Sequence, residues 1–346
     1  MTADKTQIAD ELKRWSLQQL GLPSEEPATL SVVSGDASFR CYYRLSLPGD
    51  MHFIAVHAPP EKEDNPAFIA VQQRMMAANL RVPGMLGWDL ERGFLLQEDF
   101  GDQLLLPCLD SIDAADRYYR EAFTCLLNMQ SMPLADGDLP DYDRARLLEE
   151  MALFPHWFVE QLLGHSLSDA EWQMLARLFD RLAARAEAQP QGFVHRDFHS
   201  RNIMLLNDGE LGLIDFQDAV RGPLTYDVMS LLRDCYVHWP PASVKTWLLA
   251  YRQQLVAAGI AAPDEDAFLW DADWMGLQRH IKVLGIFARL KLRDGKSAYL
   301  DDLPLVMAYT LSVAEQYEDC CEFVAWFSDT LLPLARRQSW FREVSL

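Results

Sequence analysis

The segment GFVHRDFHSRNIML, residues 192–205, places an aspartate, Asp197, five positions before an asparagine, Asn202. A second aspartate, Asp215, follows within LIDF. Transfer of a phosphoryl group from ATP needs a carboxylate beside the attacking hydroxyl, together with a carboxamide and another carboxylate that hold Mg²⁺ on the phosphates. These residue types and intervals predict Asp197 as the catalytic base and Asn202 and Asp215 as ligands of Mg²⁺.

The spacing matches the catalytic loop of protein kinases, in which His-Arg-Asp precedes an asparagine by the same interval. Here that loop would run from His195 to Asn202, and Asp215 with Phe216 takes the place of the kinase Asp-Phe-Gly. A helix cap and a turn that contain Asp and Asn by chance would explain one motif alone. Two motifs joined by a predicted hairpin favour the catalytic interpretation.

A rival interpretation takes His195 and His199 as ligands of a metal ion. Histidines four positions apart face the same side only on an α-helix. Pro190, Gly192 and the strand-like pair before His195 argue against a helix here. We therefore set this site aside and expect His195 to have a structural role.

A β-hairpin after the motif loop would bring Asp215 back towards it. Two short apolar runs that flank NDGE, residues 207–210, predict this hairpin. Upstream, a helix is expected over about 4–20, before a stop at Gly21 and Pro23. Five β-rich runs then predict a small antiparallel sheet with one inserted helix. These runs are TLSVV, SFRCYYRLSL, HFIAVH, MLGWDL and GFLLQEDF.

Asn65 followed by Pro66 predicts the start of the inserted helix, with Asn65 as its N-cap. From Asp113 onward the pattern is mostly helical, and the expected fold class is α+β. Residues 1–100 should form an N-terminal helix and a five-stranded lobe, and residues 101–346 a mainly helical lobe. The amphipathic stretches lie near 113–131, 143–163, 168–188, 224–238, 243–258 and 265–293.

The composition restricts the partners and the location of the chain. Its 346 residues include 51 acidic and 31 basic side chains, for a formal net charge of −20. Such a surface repels nucleic acid and anionic lipid, and no apolar stretch has the length of a membrane span. We expect a cytoplasmic protein, because no signal-peptide pattern is present and the six cysteines have no paired spacing.

The segments HRDFHSRNIML, LIDFQDA and GPLTYDVMSLLRD together resemble the aminoglycoside phosphotransferase family of small-molecule kinases. Segments over nearly the whole chain resemble a narrower group, the bacterial kinases of the anomeric hydroxyl of N-acetylmuramate and N-acetylglucosamine. They are SGDASFRCYYRL, APPEKEDNPAFIAV, LLQEDFGD, LFPHWFVEQLLG and GLQRHIKVLGIFARLKLRDGKSAYL. The resemblance implies a bilobal protein-kinase-like fold, ATP as co-substrate, Mg²⁺ as cofactor, and an amino-sugar acceptor in peptidoglycan recycling.

The resemblance also assigns the nucleotide site to the β-rich lobe and substrate binding to the helical lobe. Backbone groups of Gln97, Glu98 and Asp99 would pair with the adenine edge, and Asp227 matches a family aspartate that braces the catalytic loop, unless it only caps a helix. A loop over the phosphates would contain one glycine rather than a series, although small residues still let backbone N–H groups approach an anion. Its residues are Ser34, Gly35, Asp36, Ala37 and Ser38, and an ordinary hairpin turn is the alternative.

One departure from the kinase pattern concerns the phosphates of ATP. Kinases place a lysine on the third strand, paired with a glutamate on the next helix. Here the strand position holds His57, and the helix carries Gln72 and Gln73 but no glutamate. The loss of both partners together leaves no unpaired charge. We expect Arg40 or Arg44, on the neighbouring strand, to reach the phosphates instead.

A sugar acceptor needs an aromatic face and planar hydrogen-bonding groups. The segment LFPHWF offers Phe154, His156, Trp157 and Phe158 as candidates for this face, although aromatic residues on such helices are more often core. Gln217 and Asp218 directly follow the predicted metal-binding strand end, so they are candidate substrate contacts, with a solvated loop as the alternative. The resemblance adds His199, the histidine that follows the catalytic aspartate.

The basic segment 279–296 offers a receptor for the lactyl carboxylate of N-acetylmuramate, for example Arg279 or Lys282, unless it is a solvated helix face. Two other functions remain open. The chain could be a kinase of an aminoglycoside, choline or homoserine. The missing lysine would also fit a nucleotide-binding regulator without turnover.

Overall fold

The computed structural model describes residues 3–35, 39–344 and 346. The chain forms two compact units. The first consists of Met1–Gln103 and Ile203–Gln217, and the second of Leu104–Asn202 and Asp218–Leu346. The hairpin within 203–217 groups with the first unit, although the sequence division at residue 100 placed it in the helical part.

The five strands of the first sheet and most of the predicted helices lie close to the bounds predicted from the sequence. The helix Tyr226–Leu232 is shorter than the predicted stretch 224–238, and no bounds were predicted for the helices after residue 293. The strands are β1 (Thr29–Gly35), β2 (Cys41–Leu47), β3 (Met51–His57), β4 (Met85–Asp89), β5 (Phe94–Glu98), β6 (Gln191–Val194), β7 (Ile203–Leu205), β8 (Leu211–Leu213) and β9 (Val220–Pro223). The α-helices are α1 (Ala3–Gln19), α2 (Asn65–Ala77), α3 (Ile112–Gln130), α4 (Arg144–Met151), α5 (Asp169–Ala188), α6 (Tyr226–Leu232), α7 (Pro241–Ala257), α8 (Glu265–Leu292), α9 (Leu303–Ala314), α10 (Cys321–Trp326) and α11 (Leu332–Ala335). Phe154–Leu162 and Phe327–Leu331 are π-helical, and Leu106–Cys108, Ser297–Asp302 and Glu318–Cys320 are 3₁₀ turns.

The first unit is built on an antiparallel sheet with the strand order β1-β2-β3-β5-β4 among the described residues. Tyr43, Ala55 and Leu96 lie side by side across its three central strands. All three are buried, and they form one core cluster with Leu12 and Trp15 of α1. The alternation of apolar and polar residues therefore places one face of the sheet under α1, and the predicted five-stranded antiparallel sheet is confirmed.

The start of α2 differs in detail from the prediction that Asn65 is its N-cap. Asp64 is the cap, because its side chain accepts a hydrogen bond from the Ala67 N–H at 2.9 Å. Asn65 is the first helical residue. Its buried side chain donates to the Ala58 carbonyl at 2.8 Å, so it fixes the strand that precedes the helix. Both residue types cap helices well, and the packing decides between them.

The β7–β8 hairpin belongs to the first unit because its backbone bonds to that unit. The Leu205 N–H donates to the Gln103 carbonyl, and the Leu213 N–H donates to the Arg81 carbonyl, each at 2.8 Å. A Cβ at Gly212 would lie 2.7 Å from ring carbons of Phe100, so glycine is required for this close approach. Sequence periodicity predicts the hairpin itself but not these distant partners.

The second unit packs around the long helix α8. This helix contacts α4, α5, α6, α7, α9 and the π-helical segment Phe154–Leu162. Its buried residues occur on all sides, as expected for a helix at the centre of a helical unit. At Gly285 a Cβ would come within 2.4 Å of the Leu153 backbone, so the close crossing there depends on glycine.

The antiparallel pair β6–β9 lies in the same unit and precedes the motif loop. All six cysteines are free thiols, as predicted. None of the described helices combines the length and the apolar character needed to span a membrane.

Candidate active site

The motif loop, residues 195–202, is held at its start by one buried carboxylate. Oδ2 of Asp227 accepts a hydrogen bond from the His195 N–H at 2.7 Å, and Oδ1 accepts one from the Arg196 N–H at 3.0 Å. Asp227 lies in the first turn of α6 and is 1% exposed. Burial raises its pKa to about 7, although both N–H donors act in the opposite direction. The family resemblance implies this bracing contact for Asp227, with helix capping as the alternative.

A second buried carboxylate, Asp234, holds the middle of the loop. Its Oδ2 accepts hydrogen bonds from the backbone N–H of Ser200, at 2.9 Å, and from the Ser200 hydroxyl. Its Oδ1 accepts one from the Tyr236 N–H at 3.2 Å. Sequence reasoning missed this residue, although it ends the motif GPLTYDVMSLLRD. An aspartate at that point also fits an ordinary helix end, so only the three-dimensional contact reveals its role.

Two of the four non-glycine residues with a positive φ in the described part of the chain lie at or beside the predicted catalytic groups. Arg196, next to Asp197, has a φ of 74°, and Asp215 has a φ of 64°. Such left-handed conformations cost a non-glycine residue on the order of 1 kcal/mol and persist only when surrounding contacts enforce them. At Arg196 those contacts are the Asp227 hydrogen bond and the ion pair with Glu150. These contacts hold the loop in this conformation.

A buried charged network surrounds Asp197 within the second unit. Glu150 of α4 pairs with Arg196 of the loop and, at 3.0 Å, with Lys282 of α8. The Tyr142 hydroxyl donates to the same carboxylate, and the Lys282 ammonium donates to the Tyr226 hydroxyl at 3.0 Å. Sequence reasoning identified neither Glu150 nor its role, because its partners lie far away along the chain.

The network keeps Asp197 ionised. Burial favours the neutral acid, but the positive charge of Lys282, with a smaller contribution from Arg196, outweighs it and holds the pKa of Asp197 below its usual value. Burial and the neighbouring cations also lower the pKa of His199. A carboxylate that is charged at neutral pH can accept a proton.

Replacing Glu150 by alanine is expected to destabilise the protein by about 3–5 kcal/mol, because Arg196 and Lys282 would lose the carboxylate that they share. Urea unfolding of the variant measures this. The adjacent Glu149 is exposed, so Glu149→Ala is the matched control and should change stability by less than about 0.5 kcal/mol. Equal effects of the two substitutions would contradict the structural role of the network.

The two predicted metal ligands have the donor atoms that Mg²⁺ prefers. The Asn202 carboxamide nitrogen donates to the Asp197 carbonyl at 3.1 Å, so its oxygen is the atom that this side chain can present to a cation. Asp215 follows β8, and its Oδ1 accepts a hydrogen bond from Gln217 at 2.7 Å. Mg²⁺ binds one or two protein oxygen ligands together with phosphate oxygens and water. Asn202 and Asp215 belong to different units, and each fits this role in its own surroundings.

Of the predicted phosphate loop, the structure describes only part. Ser34 and Gly35 are the last residues of β1, beside a register shift between Val32 and Ser34. Asp36, Ala37 and Ser38 lie outside the described residues. Irregular pairing at a strand end is common next to ligand sites.

Arg40 and Arg44, the two candidates for the missing lysine, have different partners. Arg40 is 3% exposed, and its Nη1 lies 3.2 Å from Oε2 of Glu63. Its guanidinium carbon lies 4.9 Å from the centroid of the Phe68 ring. Arg44 instead donates hydrogen bonds to Asp99, with its Nε 2.5 Å from the carboxylate. It also donates to the Asp102 carboxylate and to the Gly101 carbonyl. The guanidinium of Arg44 is thus bound within the protein.

Glu63 gives the first unit a cation–carboxylate pair that sequence reasoning missed. It precedes α2 instead of lying on it, so a search for a helical glutamate overlooks it. Its Oε1 also accepts a hydrogen bond from the Phe39 N–H at 3.0 Å, which ties it to the start of β2. Phe68, below the Arg40 guanidinium, stacks on Phe216 with ring centroids 5.0 Å apart. Phe216, the residue after Asp215, therefore packs against the same Phe68 ring that the Arg40 guanidinium contacts.

The residues predicted to pair with adenine already form contacts within the first unit. Gln97 is buried, with its side chain donating to the Met85 sulfur. The Glu98 N–H donates to the Gly84 carbonyl at 2.8 Å, and its carboxylate accepts from the Gly84 N–H. An adenine would have to use other backbone groups of Gln97 to Asp99.

The acceptor candidates fall in both units. Gln217 ends the first unit, where it bonds to Asp215, and Asp218 begins the second, where its carbonyl accepts from Arg196 at 3.4 Å. In the second unit the His199 ring meets the Tyr236 ring edge to face at 5.4 Å.

Two of the residues predicted as candidates for the aromatic face of the sugar site, Phe154 and Phe158, belong to the hydrophobic core. Both are fully buried, whereas Trp157 is half-buried on the same π-helical segment. Lys282 pairs with Glu150, which argues against it as a receptor for a substrate carboxylate. Arg279 is buried and contacts Cys235.

Comparisons with known proteins bear on the reaction. A family model described as the phosphotransferase enzyme family matches residues 29–269. The N-acetylmuramate/N-acetylglucosamine kinase of Pseudomonas putida is 43% identical over 303 residues, which cover 86% of this chain and 87% of that protein. The protein of the same name from Pseudomonas aeruginosa is 42% identical over 284 residues, which cover 82% and 83%.

Among solved structures, a choline kinase from Streptococcus pneumoniae superposes with a TM-score of 0.61 at 12% identity. The match covers 88% of this chain and 99% of that one. At this identity the likeness establishes the fold, and it confirms the predicted fold class. The family is one of catalytic kinases, which implies ATP as the co-substrate. With a family match over most of the chain and relatives above 40% identity, this chain belongs to the phosphotransferase enzyme family.

Proposed function

We propose that the protein transfers a phosphoryl group from ATP to the anomeric hydroxyl of N-acetylmuramate and N-acetylglucosamine, as a step of peptidoglycan recycling in the cytoplasm. The observation that carries this proposal is the 43% identity to a kinase named for both sugars, over 86% of the chain. The geometry supports it with an ionised carboxylate, Asp197, on a loop braced by Asp227 and Asp234.

In the proposed reaction, Asp197 accepts the proton of the sugar hydroxyl as the hydroxyl oxygen attacks the γ-phosphorus, and ADP leaves with the bridging oxygen. The anomeric hydroxyl of a reducing sugar is more acidic than an ordinary alcohol. An aspartate with a low pKa can therefore serve as the base, and alignment and charge stabilisation supply most of the acceleration. The hydrogen bonds that brace the loop would provide that alignment.

We assign Mg²⁺ binding to Asn202 and Asp215. Bound Mg²⁺ would neutralise charge on the β- and γ-phosphates. No group of three or more His, Cys, Asp and Glu side chains suited to a metal occurs among the described residues. One carboxylate and one carboxamide nevertheless match the oxygen donors of Mg²⁺, which takes its other ligands from phosphates and water.

We assign the role of the missing lysine to Arg40, paired with Glu63. Three contacts support this choice over Arg44: the ion pair at 3.2 Å, the position above Phe68, and the Glu63 hydrogen bond to Phe39 next to the predicted phosphate loop. An arginine presents several fixed donors to phosphate oxygens. The hypothesis of a nucleotide-binding regulator without turnover rested on the missing lysine. If the Arg40–Glu63 pair replaces the lysine and its glutamate, that hypothesis loses its basis.

Replacing Arg40 by glutamine is expected to raise the KM for ATP by about tenfold or more, because a charge-assisted hydrogen bond contributes about 1.5–3 kcal/mol. Arg44→Gln should raise it much less, since that guanidinium binds Asp99. Initial rates over a range of ATP concentrations compare the two variants. A larger effect at Arg44 would reverse this assignment.

The substrate assignment is tested by a coupled assay of ADP release with a panel of free sugars and amines. We expect turnover with N-acetylmuramate and N-acetylglucosamine, and none above background with aminoglycosides, choline or homoserine. Turnover with an amine and not with the amino sugars would favour the second candidate function, another small-molecule kinase of the same fold.

A further inference from the structure

Arg279 is a buried cation whose only hydrogen bond within the described part of the chain is a weak one. It lies on α8 and is 4% exposed. Its Nη1 donates to the Cys235 sulfur at 3.4 Å, and no ion pair or further hydrogen bond joins the guanidinium to any described residue. A guanidinium has five N–H donors, and a thiol is a weak acceptor.

Three other arginines of the same unit that are at least partly buried have carboxylate partners. Arg196 pairs with Glu150, Arg185 with Asp271 at 2.5 Å, and Arg233 with Asp273 at 2.7 Å. Burying a cation without such a partner is costly, so proteins rarely retain one that has no role.

The immediate neighbours of Arg279 do not replace the missing carboxylate. Burial raises the pKa of Cys235 to about 11, so its thiol is neutral at pH 7. Asp234 is close enough to act on Arg279 electrostatically, but it forms no hydrogen bond or ion pair with Arg279 and instead accepts hydrogen bonds from Ser200 and Tyr236. The donors of Arg279 thus remain available for an anion.

Arg279 also lies beside the segment that supports the catalytic loop. Its contact, Cys235, stands between Asp234, which holds Ser200, and Tyr236, whose ring meets His199 at 5.4 Å. The next residue of α8, His280, bonds to the Arg233 carbonyl at 3.1 Å, which fixes the helix against this segment. An acceptor bound next to Asp197 would therefore have this cation in its vicinity.

We propose that Arg279 binds the carboxylate of an acidic sugar acceptor, the lactyl carboxylate of N-acetylmuramate, and so determines how strongly the enzyme prefers this sugar over N-acetylglucosamine. The inference rests on the proposed function. Lys282, the other cation of α8 near the loop, already has Glu150 and Tyr226 as partners. N-acetylglucosamine has no carboxylate and cannot use Arg279 in this way.

A first experiment needs no substitution. The wild-type enzyme is assayed with N-acetylmuramate and with its methyl ester, which lacks the charge and adds only one methyl group. Charge-assisted hydrogen bonds predict a kcat/KM about 10- to 100-fold higher for the free acid. Equal values for the acid and the ester would overturn the inference. Turnover of neither amino sugar would overturn the proposed function itself.

A second experiment uses Arg279→Gln with both sugars. We expect kcat/KM to fall about 10- to 100-fold for N-acetylmuramate, mainly through KM, and only about threefold for N-acetylglucosamine. Arg279→Lys should retain part of the N-acetylmuramate activity, since it keeps the charge but not the planar fork. Equal losses for the two sugars would mean that Arg279 is only structural, and would refute the inference.

Arg289 of the same helix provides the matched control. It is half-buried, carries the same side chain, and lies about 15 Å further along α8 by the helical rise. Arg289→Gln should leave the ratio of the two kcat/KM values unchanged. A change of this ratio as large as that of Arg279→Gln would point to general electrostatics and contradict a specific site at Arg279.

Discussion

Replacing Asp197 by asparagine is expected to lower kcat by about 10³-fold, because the variant has no group that can accept the proton of the attacking hydroxyl. The amide keeps the size and shape of the side chain, so the loop should remain braced by Asp227 and Asp234. The KM for ATP should change little. Steady-state rates with both amino sugars measure the effect.

The control for this substitution is Asp208→Asn. Asp208 is exposed in the turn of the β7–β8 hairpin, where it accepts a hydrogen bond from the Glu210 N–H at 3.0 Å. The same chemical change at that site should leave kcat within about twofold of wild type, as for an ordinary surface position. If Asp197→Asn kept more than a tenth of the wild-type kcat, Asp197 would not be the base.

The second large effect is expected at Asp215. Asp215→Asn removes the only carboxylate among the two proposed metal ligands, so the affinity for Mg²⁺ should fall by about 10²-fold or more. The activity at a fixed, low Mg²⁺ concentration should fall in proportion, and high Mg²⁺ should restore part of it. A titration of the initial rate against Mg²⁺ shows both effects.

This titration separates metal binding from folding. Asp215 takes a left-handed φ of 64°, a conformation that asparagine tolerates well. The backbone should therefore accept the substitution, and thermal unfolding of the variant checks this. An unchanged Mg²⁺ requirement in a folded Asp215→Asn variant would exclude Asp215 as a ligand.

The parts of the fold that sequence predicted well depend on local pattern. Alternating apolar residues place Tyr43, Ala55 and Leu96 on one face of the sheet, and a period of 3.6 residues gives the helices of the second unit. The motif loop was also predictable, since Asp197 and Asn202 lie within a few residues of each other and the Asn202 side chain bonds back to the Asp197 carbonyl.

The parts that sequence did not predict are contacts between distant segments. Glu150 meets Arg196 and Lys282 only after α4, the loop and α8 have packed together. The ion pair between Glu63 and Arg40 likewise joins two segments that are separated along the chain. A charged side chain has many possible partners along a chain, and no local signal selects one. A contact outside the helix also decides which residue caps α2. The Asn65 side chain donates a hydrogen bond to the Ala58 carbonyl, and Asp64 is the cap instead.

The structure also narrows several hypotheses. Arg44 is bound by Asp99, which leaves Arg40 as the candidate phosphate ligand. Phe154 and Phe158 are core residues and cannot form the face of a sugar site. Lys282 forms an ion pair with Glu150, which leaves Arg279 as the candidate carboxylate receptor. Each choice follows from the partners of a side chain, which sequence alone does not provide.

The central claim, that the anomeric hydroxyl receives the phosphoryl group, is tested most directly by phosphorus NMR of the product made from ATP and N-acetylmuramate. The account predicts a sugar phosphate whose phosphorus resonance is coupled to the anomeric proton. Coupling to the protons at carbon 6 instead, or no sugar phosphate at all, would contradict it.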